Sequence, residues 1–261
     1  MTVELLGIPI DSVSERDTVR RVIGDIQDGC GGWICPVNLD VLRQLKRSAE
    51  VRSLVEDADL LVADGMPLIW ASRLQGQPLP ERVAGSSLIE TLPRAAAAAQ
   101  ASVFLLGGDP GAADEAAHRL RASNPGLRVA GVLCPPMGFD RVPDELTAIE
   151  TQLLRALPDI VFVGLGFPKQ ERLIRRLRAV LPRAWFVSCG ISFSFVSGQV
   201  ARAPWWLQRA GLEWLHRLAQ EPRRLFRRYV LQGFPFLAHV AAHALIYRLR
   251  GAQSVPPRYR T

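Results

Sequence analysis

The first two hundred residues alternate short apolar runs with longer amphipathic stretches, the pattern required by parallel strands and their connecting helices. Apolar runs predict strands over Gly32 to Pro36, Leu60 to Ala63, Ser102 to Leu106, Arg128 to Val132, Ile160 to Val163 and Trp185 to Ser188. Apolar positions recurring every three or four residues, as in Leu173, Ile174, Leu177 and Leu181, predict the helices between them. These run over Asp17 to Gln27, Leu39 to Arg47, Met66 to Leu74, Ser87 to Ala98, Gly111 to Ser123, Pro143 to Ala156 and Lys169 to Leu181. The expected fold class is α/β, a Rossmann-like, mostly parallel sheet flanked by helices. After Ser188 the alternation stops, and an Arg- and Trp-rich segment follows Ser197-Gly198. The chain therefore divides into a core, residues 1–198, and a helical, basic C-terminal appendage, residues 199–261.

Composition sharpens that division. With 261 residues, 48% hydrophobic and 22% charged, the chain is neither disordered nor collagen-like. The formal charge of +7 is unevenly placed. From Arg202 onward there are eleven arginines against Glu213 and Glu221, with no Lys or Asp, a balance of +9 that leaves the preceding residues at −2. A basic tail on a mildly acidic body calls for a negatively charged partner. Arg217, Arg223, Arg224, Arg227 and Arg228 alternate with Trp205, Trp206, Trp214, Leu218, Leu225 and Phe226, a mixture that suits an anionic lipid surface and also nucleic acid. Tyr229 to Tyr247 carries no charge, but Gln232, Gly233, Pro235, His239 and His243 make it a poor membrane span, so an interfacial or partner-docked helix is expected. Cys30, Cys35, Cys134 and Cys189 form no CxxC pair and read as buried, reduced thiols of a cytosolic protein. The N-terminus has neither the basic start nor the apolar run of a leader.

Ligands of such sheets sit at the carboxyl ends of the strands, so chemistry is sought just after each apolar run. Gly107-Gly108 and Gly164-Leu165-Gly166 occupy such positions and read either as phosphate-cradling turns or as tight connections. The absence of GxGxxG and GxxxxGK[ST] patterns argues against a dinucleotide oxidoreductase and a P-loop NTPase. Asp64 ends a strand and precedes Gly65, where a carboxylate serves equally well as general base or as helix cap. Lys169, Gln170 and Glu171 open a helix after Gly166-Phe167-Pro168, with Lys suited to phosphate and the other two to sugar hydroxyls. Asp57-Ala58-Asp59 looks like a metal-binding pair but lies at the wrong end of its strand, and a solvated turn is favoured. His239 and His243 share a helix face but lack a third ligand.

Taken together, these residues resemble the WecG/TagA/CpsF glycosyltransferases, glycosyltransferase family 26. The resemblance rests on Gly164 to Glu171, Ser197-Gly198, Arg202-Ala203-Pro204, Gly211 to Leu218, Glu221 to Arg224 and Arg227 to Tyr229, with Asn38, Asp64 and Arg82 in order before them. It implies transfer of a sugar from a UDP-sugar to a polyprenyl-diphosphate-linked saccharide, with inversion and without a metal cofactor, at the cytoplasmic face of the membrane. Carried over by position, Asp64 is the implied base and Arg82 a phosphate contact. Asn38 and Gln170 touch donor sugar or acceptor, while turn amides, Lys169 and an appendage arginine such as Arg202 stabilise the leaving UDP. The appendage is implied to dock on the membrane. Ser87 and Ser194 stand where the family usually has acids, and Pro36 where a Thr is common. Those departures leave open a non-catalytic homologue that binds nucleotide sugar or lipid. A nucleic-acid-binding tail fits the aromatic spacing least, and both a monomer and a homo-oligomer fit the apolar tail.

Overall fold

The structure, a computed structural model, describes residues 1–204, 206–207 and 211–251. A hairpin, β1 (Thr2–Leu5) and β2 (Ile8–Asp11), precedes β3 (Gly32–Val37), β4 (Leu60–Ala63), β5 (Ser102–Gly107), β6 (Arg128–Leu133), β7 (Ile160–Gly164) and β8 (Trp185–Ser188). The last six form one parallel sheet in the order β4-β3-β8-β7-β5-β6. β3, β5, β7 and β8 are buried along their whole length, as parallel strands covered on both faces must be.

The helices divide between the two faces. Trp33, Cys35, Val37, Phe104, Val161 and Phe186 turn toward α2 (Leu39–Arg47), α7 (Pro143–Ala156), α8 (Lys169–Val180) and the hairpin. Ile34, Val62, Val103, Leu105, Phe162 and Val187 turn toward α1 (Glu15–Gln27), α5 (Gly85–Ala98), α6 (Ala112–Ser123) and α9 (Ser192–Ser197). The short α3 (Ala49–Ser53) follows α2, and α4 (Met66–Gln75) follows β4. The hairpin, absent from the pattern-based expectation, lies beside β4, and the Asp11 carboxylate accepts from the Leu61 amide at 2.8 Å. A free edge invites pairing with other chains, and the hairpin covers this one.

Beyond Gly198 the described residues form no strand. They build α10 (Glu213–Gln220), α11 (Pro222–Phe226), a π-helical turn (Arg227–Gly233) and α12 (Phe234–Leu249). These return across the carboxyl edge of the sheet. Leu225, Val240 and Ala244 are buried, and α12 packs on α4. Gly211, at φ +73°, passes so close to α4 that a Cβ there would lie 2.7 Å from that of Met66.

Candidate active site

A cleft of about 470 Å³ lies between the strand ends and the appended helices. Its floor is made by the turns after β3, β4, β5, β7 and β8, its outer wall by Gly211, Glu213, Trp214, Arg217, Arg228 and Tyr229. The floor begins at Asp64, whose amide donates to Val37 O at 2.9 Å and ties the end of β4 to β3. The helix that follows is capped by Gly65 at φ +129° with no side-chain cap bond, so the Asp64 carboxylate is not spent as a cap. It faces the cleft, and burial lifts its pKa from 3.8 to about 6, against the pull of Arg82, Arg202 and Arg217. Arg82 is carried there by its loop, in which Val83 N donates to Ala63 O at 2.8 Å. The guanidinium pairs with Glu213 at 2.7 Å, both side chains largely shielded, and this bond joins α10 to the core directly beside Asp64. Glu213 thereby pushes the Asp64 pKa upward.

The glycine turns are committed to their own structure. Gly108 N donates to Gly164 O at 2.7 Å, and a Cβ at Gly107 would come within 2.7 Å of that same carbonyl oxygen, so two strand ends are in contact there. Gln170 does for the neighbouring turns what a sugar hydroxyl was expected to do for it. Its Oε1 accepts from the amides of Gly166 (3.1 Å), Gly190 (3.3 Å) and Leu165 (3.4 Å), and its Nε2 donates to Glu171 Oε1 at 2.9 Å. Glu171 is 1% exposed, its Oε2 has no partner, and burial raises its pKa from 4.5 to about 7. Trp33 Nε1 donates to Ser188 Oγ at 3.1 Å in the same buried layer.

Lys169 points elsewhere. Its ammonium meets Asp140 at 3.0 Å and lies 5.4 Å from the centroid of Phe139, and neither it nor Pro168 lines the cleft. Phe167 and Gly166 do. Asn38 lines the cleft while its Oδ1 accepts from Asp40 N and Val41 N at 3.1 and 3.0 Å, a cap worth about 1 kcal/mol to α2. Arg202 stands behind the wall, donating to Ser86 and Ser87 hydroxyls at 3.3 Å each and pairing with Glu90 at 2.8 Å. Ser87 thus still meets this arginine, while Ser194 donates to Asp109 at 3.1 Å. Asp57 and Asp59 pair with Arg175 and Arg178 at the opposite end of the sheet, as their position before β4 implies. Among the described residues no three His, Cys, Asp or Glu side chains gather as a metal site.

Two arginines of the expected lipid-facing set turn into the cleft instead. Arg217 lies 5.7 Å from the Phe195 ring centroid with its buried Nε unpartnered, and Arg228 pairs with Asp40 at 3.0 Å. A helix has several faces, and the sequence does not show which of them the core will meet. Arg223 and Arg227 are exposed, while Trp205 and the Arg224 side chain lie outside the described residues.

Residues 3–250 match the family described as the glycosyl transferase WecG/TagA/CpsF family. The chain belongs to it. A relative from Bacillus spizizenii, an N-acetylglucosaminyldiphosphoundecaprenol N-acetyl-beta-D-mannosaminyltransferase, is 31% identical over 194 residues, covering 74% of this chain and 73% of the relative. A protein of the same description from Bacillus subtilis is 30% identical over 199 residues, covering 76% and 75%.

In this glycosyltransferase the cleft also contains residues that sequence reasoning did not place at the active site: Glu213, Trp214, Tyr229 and Phe195. The first three lie in segments already quoted for the family resemblance, so position in the motif was the available signal. Of the four cysteines, all free, Cys35 and Cys189 are buried as expected, whereas Cys30 is exposed and Cys134 half-buried. The segment Arg227–Leu249 is long and apolar enough to cross a membrane, its most apolar 18 residues reaching a mean hydropathy of 1.3, and Leu231, Phe234, Leu245, Ile246 and Leu249 are exposed on it.

Proposed function

We propose that this chain is an inverting glycosyltransferase that moves a hexose-type sugar from a UDP-sugar to a polyprenyl-diphosphate-linked saccharide in bacterial cell-surface polysaccharide synthesis. The names of its relatives make N-acetylmannosamine the first sugar to try and an N-acetylglucosaminyl-diphosphate lipid the first acceptor. The observation that carries the reading is Asp64, a buried carboxyl at the floor of the cleft with a pKa of about 6. At pH 7 most of it is ionised, yet it binds a proton more strongly than an ordinary carboxylate. It removes the acceptor hydroxyl proton as that oxygen bonds to the anomeric carbon, and the bond to UDP breaks on the opposite face. The negative charge arriving on UDP is met by guanidinium groups, Arg217 first and Arg82 beside it, and the reading assigns no metal to this step. With the turn amides already bonded to Gln170 and Gly164, the arginines are the better source of that stabilisation.

The same reading treats residues 1–198 as the catalytic core and residues 199–261 as a membrane-docking appendage, with the enzyme peripheral on the cytoplasmic face. Arg223 and Arg227 offer anionic lipid its counter-charge while Leu231 and Phe234 offer apolar area. Because Val240 and Ala244 are buried and α12 packs on α4, α12 lying along the surface fits better than α12 crossing the bilayer.

A thermal-shift screen of UDP-sugars on the full chain tests the reading. A ligand at a hundred times its Kd stabilises the folded state by about 2.7 kcal/mol, or on the order of 5–10 °C here. UDP and one UDP-hexose are expected to shift the transition, and that sugar to be transferred to the lipid-linked acceptor. Binding without transfer to any lipid-linked acceptor would favour the non-catalytic homologue, and no binding at all would remove the nucleotide-sugar site.

A further inference from the structure

A transfer between two substrates that both carry a diphosphate needs two separate cationic positions, because a single one would draw the two anions into the same place. The cleft has two. Arg217 lies against Phe195, on the helix that follows β8, and with Arg82 and Arg202 it lowers the Asp64 pKa. Arg228 lies over the start of α2, paired with Asp40 at 3.0 Å.

The acceptor's diphosphate is bonded one sugar ring away from the hydroxyl that the base serves. The group that binds it therefore belongs in the cleft, on the side from which the lipid arrives. Arg228 meets both conditions. It lines the cleft beside Tyr229, and Trp214 packs edge-on against Tyr229 at 6.4 Å and against Phe234 at 5.4 Å. Phe234 is 48% exposed on the apolar helix, so one aromatic wall runs from Arg228 to the exposed apolar surface. The present partner of Arg228 is also replaceable. Asp40 is held by Arg43 at 2.6 Å and by Gln44 Nε2 at 3.1 Å, so Arg228 can turn to a phosphate without leaving that carboxylate bare.

We propose that Arg228, with the Trp214 and Tyr229 wall, forms the subsite for the prenyl-linked diphosphate of the acceptor, while the UDP diphosphate is held on the Arg217 side. The proposal rests on the glycosyl-transfer reading and deepens it. Calorimetric titration of the full-length protein in detergent, with farnesyl diphosphate in one series and UDP in another, separates the two sites. In Arg228→Gln the affinity for farnesyl diphosphate is expected to fall about tenfold while that for UDP stays within about twofold, and Arg228→Lys, which keeps the charge but not the bidentate fork, falls between. Retained UDP binding also reports that the variant is folded. Equal weakening of both ligands, loss of UDP affinity alone, or unchanged farnesyl diphosphate binding would overturn the assignment. So would a wild-type protein that binds UDP but not farnesyl diphosphate. A wild-type protein that binds neither overturns the glycosyl-transfer reading itself, which distinguishes the two failures.

Discussion

The floor of the cleft and its outer wall are built on opposite principles. On the floor the turns are bonded to one another: Gln170 gathers three amides from two turns, and Gly108 bonds Gly164. On the wall, Arg217 keeps a buried Nε without a partner, and Arg228 shares its carboxylate with another arginine. Turns bonded to one another hold one carboxyl in place, whereas a wall with donors to spare suits the proposed role of meeting charge brought by substrates. The two meet at the 2.7 Å pair of Arg82 with Glu213, beside Asp64.

Changes in the two regions are expected to fail differently. Arg217→Gln, on the wall, is expected to lower kcat about a hundredfold, in line with loss of one preorganised donor to a developing negative charge, while the melting temperature stays within about 2 °C of wild type. Steady-state kinetics alongside calorimetry would check both halves. A collapse in stability with kcat per folded molecule unchanged would place Arg217 in the structural class instead.

Glu171→Gln, on the floor, is expected to act on stability and through pH. A carboxyl with its folded pKa raised from 4.5 to about 7 binds more protons folded than unfolded between those values. Its contribution is therefore fully present below pH 4.5 and lost as pH rises toward 7, by at most about 3 kcal/mol. The amide cannot ionise, so the variant should match wild type near pH 4 and melt higher at pH 8, by on the order of 5 °C. Parallel melting curves with no pH-dependent gap would show that burial does not raise the Glu171 pKa in the folded protein.

Much of this architecture was legible in the pattern of apolar residues. The strands β3 to β8 and the helices α2 and α7 fall within a residue or two of expectation, because runs such as Ile160 to Val163 are buried on both faces and have no amphipathic alternative. The hairpin was missed because its strands are four residues each, too short for an alternating signal. Within the cleft, the carboxyl ends of the strands were the right place to look, and Asp64, Asn38 and Arg82 all line it. What the chain order could not convey is which way a side chain turns. Gln170 lines the cleft as expected yet also binds three turn amides, Lys169 has the chemistry of a phosphate ligand and instead meets Asp140, and Arg217 was read as a lipid contact although it faces the cleft.

The proposed role of Asp64 as the base is tested most directly by the pH dependence of single-turnover transfer. In the wild-type enzyme the rate should fall tenfold per pH unit below a break near 6, where the carboxylate takes up a proton. Asp64→Asn should retain UDP binding, lose about three orders of magnitude in rate, and show no break near that pH. An Asn variant that turns over at the wild-type rate, or that keeps the same break, would contradict the assignment.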